Sequence, residues 1–131
     1  MKNNYFYLCF LFLTGILFAQ PGTLDVSFNT VDNGTYENGP NSTVWTITIQ
    51  PDDKIIIGGD FTNYNDIPRS RIARLNTDGS LDTTFDPGSG ANGTISSATI
   101  QPDGKIIIGG DFTNYNDIPR SRIARLNTDG S

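Results

Sequence analysis

The residue types in this chain limit its chemistry before any fold is considered. It has fourteen aspartates and glutamates, no histidine, and a single cysteine, Cys9. Zinc sites built on histidine and cysteine are therefore excluded, as are nucleophiles that depend on a histidine base. Any reaction would have to use carboxylates, arginine, lysine, tyrosine or serine.

One group of oxygen ligands has a spacing that could hold a cation. Residues 76–82, NTDGSLD, resemble the middle of an EF-hand calcium loop, which needs oxygen ligands at positions 1, 3, 5 and 12 and glycine at position 6. With Gly79 at position 6, position 1 is Arg74, which would repel the ion, and position 12 is apolar. We interpret the segment as a hairpin turn and predict no metal site; the alternative is a weak calcium site at Asp78 and Asp82.

Four further aspartates could pair to cleave a glycosidic bond, a reaction that uses two carboxyl groups. Asp60 and Asp111 each follow two glycines, and Asp66 and Asp117 lie in the polar segments that come next. We favour a structural interpretation, in which Asp60 bonds to its own turn or pairs with an arginine of the following segment. We therefore predict no catalytic residue.

The polar segments after the glycine pairs are the best candidates for ligand binding. Residues 61–66 read FTNYND, and residues 112–117 repeat them. Tyrosine and asparagine suit adaptable contacts, and binding residues are often found on loops. The alternative is that both segments are only solvated connections. The ligand-binding candidates are Tyr64, Asn65, Asp66, Tyr115, Asn116 and Asp117.

These candidates occur twice because the chain repeats itself. Residues 48–80 and 99–131 are the same 33-residue sequence except at one position, where Gly104 stands in the place of Asp53. The phrase GTLDVSF near the start also matches GSLDTTF in the middle of the chain. We divide the chain into unit 1, residues 22–78; unit 2, residues 79–129; and residues 130–131, which begin a third unit.

Each unit is predicted to contain four strands. Three consecutive isoleucines in the second strand do not alternate with polar residues, so this strand should be central and buried on both faces. The glycine pair that follows should let another backbone come close. Asp53 occupies a turn position that favours glycine, so we expect mild strain there. The predicted strands are 44–50, 54–59, 69–76 and 24–28 in unit 1, and 95–101, 105–110, 120–127 and 81–85 in unit 2.

Four short antiparallel strands in each of two successive repeats are typical of a β-propeller blade. We therefore expect an all-β fold of antiparallel four-stranded blades, with about two blades present. Repeat folds need three or more units to cover their apolar faces. We expect the chain to be a fragment of a longer protein, with closure of a ring by several copies as the alternative.

The phrases LDxxF, QPDGKIIIGGDF and RIARLNxDGS together resemble the delta-60 repeat, a bacterial propeller-type repeat of exported proteins, over nearly all of residues 22–131. The sequence IIIGG is also similar to the Gly-Gly doublet of kelch blades. The resemblance implies the fold and an extracellular location. It implies no activity and no site residue, because the family has no established general activity.

The first nineteen residues predict export. A basic start at Lys2, an apolar run over residues 5–18 and the small Ala19 are typical of a secretory signal peptide, with cleavage after Ala19. Cleavage would remove Cys9 and leave no membrane span; the alternative is an uncleaved membrane anchor. The mature part would carry a net charge of about −6, which argues against nucleic acid and anionic membranes as partners.

The sequence thus predicts a secreted or outer-surface bacterial protein that acts without a cofactor in adhesion or ligand binding. The ligand would be a protein or a carbohydrate. Further blades of the same protein, or other copies of the chain, are also expected as partners. The alternative function is a carboxylate-dependent propeller enzyme, a glycoside hydrolase or a lyase.

Overall fold

The computed structural model describes residues 22–32 and 38–131. The predicted signal peptide and its cleavage point after Ala19 lie outside the described residues. Within the described ranges, no helix is long and apolar enough to cross a membrane. The strands are β1 (Val44–Ile49), β2 (Ile55–Gly59), β3 (Asn63–Tyr64), β4 (Ile67–Pro68), β5 (Ile72–Leu75), β6 (Ile95–Ile100), β7 (Ile106–Gly110), β8 (Asn114–Tyr115), β9 (Ile118–Pro119) and β10 (Ile123–Leu126).

Each unit contains one three-stranded antiparallel sheet, in the order β1-β2-β5 or β6-β7-β10. The isoleucine strands β2 and β7 are central, as the sequence predicted. In β2, Ile56 and Ile57 point to opposite faces and both are buried, so apolar layers lie on both sides of the sheet. The all-β antiparallel prediction is confirmed.

The prediction of a fourth strand is wrong for residues 24–28 and for residues 81–85, neither of which forms a strand. Leu81 forms a single bridge with Leu75, and the chain then leaves the sheet. Asp82 causes the departure, because its Oδ1 accepts hydrogen bonds from the backbone N–H of Thr84 at 2.9 Å and from its hydroxyl at 2.7 Å. Such local side-chain bonds compete with strand pairing. In the described residues, each blade sheet therefore has three strands rather than four.

A second departure from the prediction is a small hairpin inside each polar segment. Strands β3 and β4 pair in unit 1, and β8 and β9 pair in unit 2. The two central residues of each turn have positive φ: 48° and 61° at Asn65 and Asp66, and 48° and 60° at Asn116 and Asp117. Two positive φ values are the type I′ pattern, which suits two-residue hairpins and which asparagine and aspartate tolerate.

The turn between β1 and β2 confirms the expectation for Asp53. Its φ is 64°, and Gly104 at the equivalent position has a φ of 81°. The backbone N–H of Asp53 donates to the carbonyl oxygen of Gln50 at 2.9 Å, and that of Gly104 donates to the carbonyl oxygen of Gln101 at 2.8 Å. Both hydrogen bonds close the same kind of turn. A left-handed residue with a side chain is disfavoured by about 1 kcal/mol, so unit 2 has the less strained version of this turn.

The glycine pairs allow the close backbone approach that the sequence predicted. A Cβ atom on Gly59 would collide with the carbonyl oxygen of Thr43, and a Cβ atom on Gly110 would collide with that of Thr94. The segment before each first strand therefore lies directly against the second strand. Any residue other than glycine would push the two apart.

The two sheets pack face to face. We call the face of a sheet that looks toward the next unit along the chain its C-side face, and the opposite face its N-side face. The C-side face of unit 1 contributes Ile56 and Ile72 to a core shared with unit 2. The N-side face of unit 2 supplies most of that core: Ile95, Ala98, Ile100, Ile106, Ile108, Ala124 and Leu126.

The side chain at one position of the first strand decides how closely the sheets approach. Ala98 of β6 packs toward unit 1, and its backbone N–H donates to the Thr46 hydroxyl at 3.2 Å. The equivalent residue of unit 1 is Ile47, which is largely exposed on the N-side face together with Ile49. The two bulky isoleucines of β1 therefore point away from unit 2.

Candidate functional site

Two of the six ligand-binding candidates, Tyr64 and Tyr115, are core residues. They are 2% and 4% exposed, and their hydroxyls donate to the backbone carbonyls of Gly79 at 2.6 Å and Gly130 at 2.7 Å. Burial raises the pKa of Tyr64 to about 12 and moves that of Tyr115 upward as well. The expectation that these tyrosines are presented to a ligand is wrong, because their rings fill the space under the hairpins.

Asn65 and Asn116 hold the hairpins in place. Asn65 Oδ1 accepts from the backbone N–H of Gly39 at 2.5 Å, and its Nδ2 donates to Asn29 Oδ1 at 2.9 Å. Asn116 Oδ1 accepts from the backbone N–H of Ser89 at 3.2 Å. Each asparagine thus ties its hairpin to a neighbouring turn, which fixes the direction of the residues that follow.

The tips of the hairpins, which we define as residues 66–68 and 117–119, are exposed, and both have the sequence Asp-Ile-Pro. Ile67 is 40% exposed and Ile118 is 51% exposed. The aspartates are among the candidates predicted from the sequence, whereas these isoleucines are not. No sequence signal marks these isoleucines, because the small hairpin that leaves them without a covering layer is seen only in the structure.

The calcium candidate Asp82 is instead the centre of an ion cluster between the units. Its Oδ2 accepts from Lys54 Nζ at 2.6 Å and from Arg74 Nε at 2.7 Å. The Arg74 guanidinium also donates to the Thr84 hydroxyl at 3.1 Å and lies 5.1 Å from the centre of the Phe85 ring. Two cationic side chains occupy the place that a calcium ion would need, so the arrangement does not support a metal site.

The electrostatics of Asp82 agree with this structural role. Burial acts to raise its pKa, but the hydrogen bonds from Lys54, Thr84 and Arg74 outweigh burial and hold the pKa well below its usual value. Asp78, the other calcium candidate, accepts from the backbone N–H and the hydroxyl of Ser80 at 3.0 and 2.6 Å. No group of three acidic, histidine or cysteine side chains is placed to hold a metal within residues 22–32 and 38–131.

Asp60 also serves the contact between units. It accepts hydrogen bonds from the Thr94 hydroxyl and from the Trp45 indole at 2.7 Å, and Arg71 Nη1 lies 4.0 Å away. These two hydrogen bonds, the one from Thr94 first, lower its pKa. A general acid for glycoside cleavage needs a raised pKa. Asp60 is therefore unsuited to that role.

The carboxylate of Asp111 has a different partner from that of Asp60. It accepts from Arg122 Nη1 at 2.9 Å, and both side chains are exposed. The equivalent residue of unit 1 is Asp60, which accepts a hydrogen bond from Thr94 of unit 2. The ion pair between Asp111 and Arg122 therefore lies at the position that, in unit 1, contacts the next unit.

A comparison with known protein families supports the repeated β-sheet fold. The family model described as "Domain of unknown function (DUF5122) beta-propeller" matches residues 50–85 and 101–131, just over half of the chain. No curated protein and no solved structure matches the chain. The two matched segments cover the central strands, the hairpins and the third strands of both units. The chain therefore belongs to the DUF5122 β-propeller family.

Proposed function

We propose that this chain is an exported, non-catalytic β-propeller protein of the bacterial surface that binds a ligand at the tips of its hairpins. The single observation that carries the proposal is the repetition of one exposed surface. The same Asp-Ile-Pro triplet projects from both units, while the rest of each hairpin is tied to the core. The predicted signal peptide and the resemblance to the delta-60 repeat support export.

The chemistry of the tips favours a protein ligand. Ile67 and Ile118 offer apolar surface, and Asp66 and Asp117 add a negative charge beside it. Sugar rings are commonly held on aromatic faces, whereas the tyrosines of these hairpins are buried. A protein surface with an apolar patch and basic residues fits the tips better than a glycan does.

The tips are tested by a matched pair of double variants. We expect Asp66→Asn with Asp117→Asn to weaken binding about tenfold, because the charge is lost while asparagine keeps the left-handed turn. The measurement is binding of the purified protein to an array of cell-surface proteins and glycans, followed by titration of the strongest hit.

The control is Asp52→Asn with Asp103→Asn, which removes the same two charges from the turns between the first two strands. Hydrogen bonds of Asp52 and Asp103 stay within their own turns. The control should bind as the unchanged protein does. Equal binding by the tip variant, a glycan as the strongest hit, or hydrolysis of arrayed glycans would contradict the proposal.

A further inference from the structure

We propose that Trp45, Asp60 and Arg71 form a separate binding site, which takes a neutral sugar ring of an oligosaccharide or polysaccharide. The site lies where the two units meet, because Asp60 of unit 1 accepts a hydrogen bond from Thr94 of unit 2. It uses none of the residues of the hairpin tips and does not depend on the function proposed for them.

Trp45 is an exposed aromatic side chain on a side of its sheet that already has a neighbour. It lies at the β-bulge of β1, and its indole reaches Asp60, which faces Thr94 of unit 2. Bulges often redirect a side chain beside a functional site. Unit 2 is in place on this side, and Trp45 is still 58% exposed.

The indole ring is held in one orientation. Its Nε1 donates to Asp60 Oδ2 at 2.7 Å, and the backbone N–H of Asp60 donates to the carbonyl oxygen of Thr43 at 2.8 Å. The other carboxylate oxygen of Asp60 accepts from the Thr94 hydroxyl. An aromatic side chain that is fixed before binding loses little conformational entropy when a ligand packs on it. The ring is therefore a pre-organised contact surface.

Unit 2 shows that the indole is not needed to build this part of the sheet. The residue equivalent to Trp45 is Ser96, which lies at the same bulge and donates to the carbonyl oxygen of Gly109 at 3.3 Å. The first two strands of both units pair in the same register. A structural role alone does not explain a tryptophan at position 45.

The hydrogen bond from Trp45 also leaves the neighbouring arginine free for a ligand. In unit 2, Arg122 Nη1 lies 2.9 Å from Asp111 Oδ1. In unit 1, both carboxylate oxygens of Asp60 already accept hydrogen bonds, and Arg71 Nη1 stays 4.0 Å from Oδ1. It donates to the backbone carbonyl of Asp60 instead, and the Nε and Nη2 groups of Arg71 have no acceptor among the described residues.

These three side chains match the two kinds of surface on a pyranose ring. The C–H groups on one face of the sugar pack on an aromatic ring, and its hydroxyls bond to polar side chains at the edge. Arg71 supplies donors, and each carboxylate oxygen of Asp60 keeps a further lone pair as an acceptor. The Asp60 and Arg71 side chains are 33% and 27% exposed, so a ligand can reach both from solvent.

The charges favour a neutral sugar over an acidic one. The charges of Asp60 and Arg71 cancel, and the whole chain has a net charge of −5. A uronic acid would bring its carboxylate close to that of Asp60, and like charges at short range weaken binding. A neutral hexose therefore fits the site best.

The test uses the intrinsic fluorescence of the purified protein, because Trp45 is its only tryptophan. The probes are cellotetraose, maltotetraose and mannotetraose, with tetragalacturonate as the acidic comparison. We expect at least one neutral probe to move the emission to shorter wavelength, with half-saturation at about 1 mM, and tetragalacturonate to bind about tenfold more weakly. Binding of this strength is too weak to make a glycan the strongest hit in the array experiment on the hairpin tips.

Two variants and a control assign the binding to this site. Trp45→Ser introduces the residue that unit 2 has there, so it should keep the far-UV circular dichroism while saturation-transfer NMR shows that the sugar no longer binds. Arg71→Ala should weaken binding about tenfold, because charged hydrogen bonds are lost.

The control is Asp66→Asn with Asp117→Asn, which should bind the sugar as the unchanged protein does. Trp45→Ser, in turn, should keep the ligand of the tips, so the two proposals can fail separately. The sugar site would be overturned if no neutral probe moved the emission, if tetragalacturonate bound more tightly, or if Trp45→Ser still bound the sugar.

Discussion

Replacing Asp82 with alanine is expected to lower the free energy of unfolding by about 3 to 5 kcal/mol. The side chain is buried and bonds to Lys54 and Arg74. Removing one partner of a buried ion cluster leaves the other charges without compensation, which destabilises by about this amount. Because Lys54 remains partly exposed to water, we expect a value near the lower end. Urea titration of both proteins measures the difference.

Asp25→Ala is the matched control for this variant. Asp25 caps the same type of turn but has no cationic partner among residues 22–32 and 38–131, so its replacement should change stability by less than about 1 kcal/mol. Similar losses for the two variants would show that the ion cluster does not hold the units together.

The pH dependence of stability gives a second readout for Asp82. Its pKa is lowered in the folded state, whereas an unfolded aspartate titrates near about 3.9. The stabilisation is therefore complete above the unfolded value and is lost as the pH falls from there toward the folded value. Asp82→Ala should make the fall in stability below about pH 4 shallower than in the unchanged protein, and an unchanged slope would contradict the assignment.

Phe85→Ala is expected to lower the free energy of unfolding by about 3 to 5 kcal/mol. Its ring is fully buried in the core shared by both units, and the Arg74 guanidinium lies against it. Truncation leaves a cavity between two sheets that cannot collapse without breaking the ion cluster. Denaturant unfolding followed by circular dichroism measures the loss.

Phe28→Ala is the matched control, because Phe28 occupies the equivalent position in the first LDxxF phrase. Its side chain is 43% exposed and lines an apolar groove of about 640 Å³ on the N-side face of unit 1. We expect a loss of about 1 kcal/mol, in proportion to the smaller area removed from water. Equal losses would contradict the placement of Phe85, and not of Phe28, in the core between the units.

Much of the fold could be predicted from the residues because the strongest signals are local. The three isoleucines of β2 predicted a central strand buried on both faces, and the glycine pair predicted a close backbone approach. The fourth strand could not be predicted in this way. LDTTF has strand-like alternation, but the competing hydrogen bonds that Thr84 donates to the Asp82 carboxylate end the pairing after Leu81.

The site was less predictable, because residue type does not reveal burial. Tyr64 and Tyr115 suited a binding loop by composition, yet the type I′ hairpin turns their rings inward. The residues around Asp82 in the sequence resembled part of a calcium loop, so Asp82 was a candidate cation ligand. Its true partners, Arg74 and Lys54, come from segments that only the folded sheet brings together.

The central claim is that the two units share one core and fold together, and Trp45 provides the most direct test. It is the only tryptophan and lies in β1 of unit 1, so its fluorescence follows unit 1 alone while far-UV circular dichroism follows both sheets. Urea unfolding at low protein concentration should give one transition with the same midpoint by both methods. Separate midpoints would contradict the shared core.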